Sequence, residues 1–177
     1  MNDQDRPENS SPPSLAAGSP ERFGYSWDMF DDIIEIYEEQ FDGWVSALPE
    51  ECWQGAHFLD VGCGIGRNSL WAKKRGTGSG VAIDVDDRTL SVAKRNLANT
   101  QDMTVQWMSA YDIEFENRFD IVFSLGVIHH LDEPERAVER MTRAAKPGGH
   151  VLVWLYGREN NGWIVALFEP FTLSATY

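Results

Sequence analysis

LDVGCGIGRNSL, residues 59–70, decides the fold: an apolar run ends in three glycines spaced two apart, Gly62, Gly64 and Gly66, and a helix-like segment follows at once. A strand that turns through bare glycine into a helix lets the main chain approach a ligand closely, and the first turn of the helix adds partial positive charge. A nucleotide-like group is the ligand that uses both. The spacing narrows the choice, because it is G-x-G-x-G, whereas the dinucleotide fingerprint G-x-G-x-x-G needs glycine at position 67, where Arg67 stands. A nucleotide-dependent oxidoreductase is therefore a remote reading.

Outward from this loop, short β-type runs alternate with helical segments, the pattern of an α/β domain whose parallel sheet is covered on both faces. Strands are expected near 57–61, 80–84, 103–107, 119–124 and 150–156, with helices near 67–75, 88–98 and 134–145. The last helix is expected to end with Lys146 in its final turn, because Pro147 cannot continue it and Gly148 and Gly149 supply the turn. After the fifth strand, GRENNGWIVALFEPFTLSATY (157–177) reads as a helix and a turn, the start of a truncated cap or tail.

Upstream, residues 1–20 carry Pro7, Pro12, Pro13 and Pro20 among polar residues, with too little apolar surface to offset the entropy of ordering, and read as a disordered tail. Residues 21–50 change character. Phe30, Ile33, Ile34, Tyr37, Phe41, Trp44 and Val45 fall at helical spacing, with acids mostly off that stripe, which predicts an amphipathic helix or lid ahead of a core at 51–156.

Composition bounds the function. The 177 residues suit one domain with a real core, and no stretch approaches the roughly 18 apolar residues of a membrane span. Two cysteines, Cys52 and Cys63, are too few for a disulfide scaffold, so a reduced, cytoplasmic protein is expected. The net charge is -13, and twelve of the 28 acids but only Arg6 and Arg22 of the 15 bases fall within residues 1–50. With no basic stripe to neutralise phosphates, a nucleic-acid partner is disfavoured and a small-molecule acceptor or a protein is favoured.

The motifs together resemble the class I S-adenosylmethionine-dependent methyltransferases. LDVGCGIG is similar to that family's first motif, an acid followed by x-G-x-G-x-G, here Asp60, Gly62, Gly64 and Gly66, with Cys63 within the turn. VAIDVDDRTLSVAKRN (81–96) resembles the second strand, ending in the acid that takes the ribose hydroxyls, here Asp84, with Val85 beside it. SAYDIEF (109–115) resembles the segment bordering the adenine, here Ser109 and Ala110. FDIVFSLGVIHHL (119–131) resembles the fourth strand and its exit, which brings Ser124 and Leu125 to the cofactor, and AAKPGGHVLVW (144–154) resembles the turn into the fifth strand. Five motifs in order cover about residues 56–156. The resemblance implies a Rossmann-like doubly wound sheet in strand order 3-2-1-4-5, lacking the family's last two strands. It also implies S-adenosylmethionine as cofactor and S-adenosylhomocysteine as product. Ser109 departs from the commoner Asp at its position, which leaves main-chain contacts to hold the adenine.

The residue chemistry agrees. Asp84 follows Asp60 by 24 residues, at the carboxyl end of the next strand, where a carboxylate accepts charge-assisted bonds from two hydroxyls. Asp60 could brace the loop or accept from the cofactor's ammonium through water. In the family, Gly62 and Gly64 back onto the methionine part, so a side chain at either is expected to block it. His129 and His130 leave the fourth strand on the same edge. They either hold the strand exit in place or serve the reaction, with His130 as general base and His129 nearer the substrate. Tyr25 and Trp27 precede the acidic helix and either line the acceptor side or staple the helix to the sheet. Adjacent histidines on extended chain point apart, so no metal site is expected. The second reading is a non-catalytic methyltransferase-like binding module or partner subunit. An unpaired strand edge with an aromatic tail would also invite a homodimer.

Overall fold

The structure, a computed structural model, describes residues 36–155. The expected tail at 1–20, Tyr25, Trp27, the first part of the amphipathic segment and the stretch 157–177 lie outside the described residues. Five parallel strands form one sheet: β1 (His57–Val61), β2 (Ser79–Asp84), β3 (Met103–Trp107), β4 (Phe119–Leu125) and β5 (Ala145–Trp154). Their order is β3-β2-β1-β4-β5, as the resemblance implies. The helices are α1 (Ile36–Val45), α2 (Arg67–Lys74), α3 (Asp87–Asn96) and α4 (Pro134–Ala144). None of the described helices is long and apolar enough to cross a membrane.

Strand alternation assigns each side chain to a layer. On one face Phe58 of β1 and Ile121, Phe123 and Leu125 of β4 pack with Trp53, Phe41 and Val45 of α1 and Trp71 and Ala72 of α2. On the other, Leu59, Val61, Val81, Ile83 and Val122 pack with Ala137, Met141 and Ala144 of α4. Strands buried on both sides are what an all-parallel sheet requires. Asp60 alternates with Leu59 and Val61 and so shares the face of Phe58, where α2 lies.

The described part of the acidic segment is a core element. Phe41 is fully buried, in edge contact with Trp53 at 5.9 Å and Phe123 at 6.3 Å between ring centroids. The helix stripe read from the sequence is thus spent on the sheet, through Phe41 and Val45.

The passage from α4 to β5 differs most from expectation, because β5 starts at Ala145 and not near residue 150. Lys146 is not in the last turn of α4, which ends at Ala144; Ala145 is already extended, with ψ 143, and pairs with Phe119. The amides of Asn117 and Arg118 donate to the carbonyls of Arg143 and Ala144 at 2.9 Å each, so the preceding loop closes the helix end, and Arg143 is the basic residue of its last turn. A register shift then carries the pairing to Ile121 with His150, and Lys146 reaches Asp120 at 2.7 Å across it. Pro147 and the left-handed Gly148, with φ 79, therefore make an irregular strand entry.

Phe41→Ala should lower unfolding free energy by about 3–5 kcal/mol in urea denaturation followed by circular dichroism. An unchanged midpoint would mean that α1 is peripheral to the core.

Candidate functional site

The turn from β1 into α2 holds Gly62, Gly64 and Gly66 at φ 76, 54 and 82, a region that costs any side-chain-bearing residue. The end of β2 pins it. The amides of Gly62 and Cys63 both donate to the Ile83 carbonyl at 2.9 Å, and the Gly64 amide donates to Asp84 Oδ2 at 3.0 Å. Asp84 Oδ1 accepts from the amides of Val85 at 2.8 Å and Asp86 at 3.1 Å. One carboxylate thus organises both the glycine turn and the entry to α3, whose N-cap is Asp86.

At position 62 the structure supplies an obstacle that the sequence did not show. A Cβ there would stand 2.6 Å from Val127 Cγ2, on the exit of β4, before any ligand is considered. A Cβ at Gly66 would stand 2.9 Å from Leu97 Cδ1, so this glycine lets α2 and α3 approach.

Asp60 is 1% exposed. Its Oδ2 accepts from the Ser69 hydroxyl at 2.7 Å, while Oδ1 is buried with no hydrogen-bond partner. Burial, opposed by the Ser69 hydroxyl and reinforced by the negative charge of Asp84, pushes its carboxyl group up to about 7. A buried polar oxygen without a donor is the mark of a group waiting for a ligand or a proton.

The remaining expected cofactor residues lie in the glycine turn and at or just after the ends of β2, β3 and β4. Val85 is exposed, and its carbonyl accepts from the Trp107 indole at 2.8 Å. The Met108 amide donates to the Asp84 carbonyl at 3.0 Å, which brings Ser109 and Ala110 alongside. The Ser109 hydroxyl accepts from the Tyr111 amide at 3.2 Å and starts a 3-10 turn at Ala110–Asp112. Ser124 is buried and donates to the Val61 carbonyl at 2.8 Å, so its side chain steadies the start of the glycine turn. Leu125 belongs to the core on the α1 side. Cys63 turns its thiol toward Ala82, Leu90 and Ala93, and burial, with the charges of Asp60 and Asp84, raises it well above the usual range. It is an inert thiol.

His129 and His130 lie in a 3-10 turn, Ile128–His130, directly after Val127. Their rings are 3.9 Å apart between centroids, so the expectation that they point apart is corrected: the chain there is helical and not extended. His129 is half-buried, and desolvation followed by the charge of His130 holds its imidazole below the usual range. Among the described residues no cluster of three or more His, Cys, Asp or Glu could hold a metal ion.

Four contributors were missed by sequence reasoning. Ser69 carried a faint signal, a small hydroxyl in the first turns of an otherwise apolar-faced helix. Val127 and Trp107 carried none, since their roles depend on neighbours distant in sequence. Arg67 figured only as the residue that breaks the dinucleotide fingerprint; its guanidinium lies 4.3 Å over the Tyr37 ring, and the Trp44 and Trp154 rings meet at 4.8 Å between centroids, tilted by 38°. These contacts tie α1 to the first residue of α2 and to the end of β5.

A family model described as a methyltransferase domain matches residues 59–153, and with this sheet order and glycine turn the chain belongs to the class I S-adenosylmethionine-dependent methyltransferases. S-adenosylmethionine is the cofactor of that family. The chain is 28% identical over 134 residues to a mitochondrial ubiquinone biosynthesis O-methyltransferase of Dictyostelium discoideum, covering 69% of this chain and 41% of that protein. It is 43% identical over 79 residues to a ribosomal protein L11 methyltransferase of Thermotoga petrophila, covering 43% and 30%. The chain thus spans less than half the length of these curated relatives. Among solved structures, an S-adenosylmethionine-dependent methyltransferase from Aquifex aeolicus shares the fold with a TM-score of 0.65 at 20% identity, over 84% of this chain and 87% of that one.

Gly62→Ala should cost about 1–3 kcal/mol of stability, and Val127→Ala in the same chain should return part of it, read as a double-mutant cycle of unfolding. Additive losses would show that the two side chains do not collide. The ionisation of Asp60 gives a second expectation. Its folded carboxyl group titrates above its unfolded counterpart, so its stabilising contribution is complete below about pH 4 and is lost as pH rises to about 7. Ligand-free Asp60→Asn should therefore gain stability relative to wild type on going from pH 4 to pH 8 in thermal unfolding, and a constant difference would refute the shift.

Proposed function

We propose that the chain transfers a methyl group from S-adenosylmethionine to a small-molecule acceptor, with S-adenosylhomocysteine as product. The observation that carries this reading is the pair of carboxylates around the glycine turn. Asp60 is buried with an unfilled oxygen, and Asp84, at the end of the next strand, holds the turn by an amide. The residues fit the cofactor. Asp84 would take the ribose hydroxyls: a carboxylate offers about four acceptor positions, and the three amides that it accepts from here leave room on Oδ2. Asp60 would face the amino end, the main chain of residues 62–66 would lie along the methionine part, and Val85, Ser109 and Ala110 would border the adenine.

The cofactor supplies a methyl on a positively charged sulfur, which leaves readily in an in-line displacement. The protein holds acceptor and donor in line and excludes water. His130, exposed beside His129, would take the proton of a hydroxyl acceptor, and the neutral state favoured at His129 keeps a second positive charge away from it.

The longer match, to the ubiquinone O-methyltransferase, and the net charge of -13 support a small-molecule acceptor. A protein acceptor is the second reading, supported by the shorter but closer match to the ribosomal protein L11 enzyme. Free thiols at Cys52 and Cys63 suit a reducing cytoplasm.

Calorimetric titration with S-adenosylmethionine and S-adenosylhomocysteine tests the cofactor. Binding should weaken roughly tenfold to a hundredfold in Asp84→Ala, the loss of one or two charge-assisted hydrogen bonds. Transfer of a labelled methyl to a metabolite panel and to ribosomal proteins then separates the acceptor classes. For a hydroxyl acceptor, His130→Ala should lower kcat by roughly a hundredfold or more. Binding without transfer to either panel would leave a cofactor-binding module, and absence of binding would remove the reading.

A further inference from the structure

Asp60 does more than brace the turn. An ionised carboxylate withdrawn from water with one oxygen lacking a donor is far costlier than the same group carrying a proton. Its surroundings do not offset that cost. Asp84, at the end of β2, opposes a second negative charge, and from the turn itself Cys63 faces it as a neutral thiol. Arg67, on α2, has its guanidinium over the Tyr37 ring. The group that favours the ionised form is Ser69 of α2, through its hydroxyl at 2.7 Å and, more weakly, its amide.

We propose that Asp60 carries a proton in the ligand-free protein and releases it when the cationic amino end of S-adenosylmethionine or S-adenosylhomocysteine comes to its unfilled Oδ1, with Ser69 as the positioning residue that fixes Oδ2. The inference rests on the methyltransferase reading above. The O–H bond of the carboxyl group breaks, the proton passes to solvent buffer, and the carboxylate pairs with the ligand ammonium, so charge balances. The buried pair is less costly than the lone carboxylate would be, because the ammonium offsets the charge that burial penalises. Binding therefore strengthens as pH rises toward 7, the range to which burial has moved this group. Ligand affinity and proton affinity compete for one buried oxygen.

Titration calorimetry with S-adenosylhomocysteine at pH 6.0 and 7.5, each in two buffers of different ionisation enthalpy, reads the protons released. More proton release per ligand is expected at pH 6.0 than at pH 7.5, with the dissociation constant severalfold lower at the higher pH. In Asp60→Asn the release should vanish. In Ser69→Ala, where the carboxyl group loses its fixing hydroxyl, release at pH 7.5 should rise toward its level at pH 6.0; a merely structural role for Ser69 would weaken binding equally at both pH values. Should Asp60→Asn fail to fold, the buffer dependence of wild type and Ser69→Ala still decides. Binding whose heat is independent of buffer, or release retained in Asp60→Asn, overturns the proton exchange and leaves the methyltransferase reading intact. Absence of binding at both pH values overturns the two together.

Discussion

The hydrogen bond from the Gly64 amide to the Asp84 carboxylate, 3.0 Å long, is the contact on which the crevice depends. A chain that reverses through three left-handed glycines has little stiffness of its own, since glycine loses more conformational freedom on folding than any other residue. The turn is held because its neighbours supply fixed acceptors: Ile83 and Asp84 on the β2 side, and on the β4 side the Ser124 hydroxyl on the Val61 carbonyl. β1 sits between these two strands, where the connections of the sheet diverge, and that is where an open α/β sheet leaves room for a ligand.

The two carboxylates at this point live under opposite conditions. Asp84 is half-exposed and surrounded by amide donors, so its charge is solvated by the main chain. Asp60 is sealed beneath α2 with half its acceptors unused. A protein selected for stability alone would replace the second by an apolar residue or complete its hydrogen bonds. Keeping it destabilises the ligand-free state, the usual mark of a group retained for what it does when occupied.

The strands and the glycine turn were legible because they rest on local pattern. Apolar runs of four to six residues, glycine spacing and the acid 24 residues beyond Asp60 are all written along the chain. Lys146 was misplaced because its surroundings are set by Asn117 and Arg118, some thirty residues upstream, which close the end of α4 in its stead. The histidine pair was misread for a related reason: after Gly126, with φ 76, the chain coils into a 3-10 turn, and no periodicity extends over three residues. Of the site, the main-chain cradle and Asp84 could be found from residue type. The burial of Asp60, the part played by Ser69 and the indole of Trp107 on the Val85 carbonyl needed the third dimension. Tyr25, Trp27 and the aromatic stretch 157–177 lie outside the described residues.

Val127 fills the space that a side chain at position 62 would take, and it immediately precedes the turn that carries His129 and His130. The loop that would grip the donor and the loop that would present the acceptor are therefore one mechanical part. A side chain larger than valine at position 127 would therefore press on the glycine turn and on the histidine turn together.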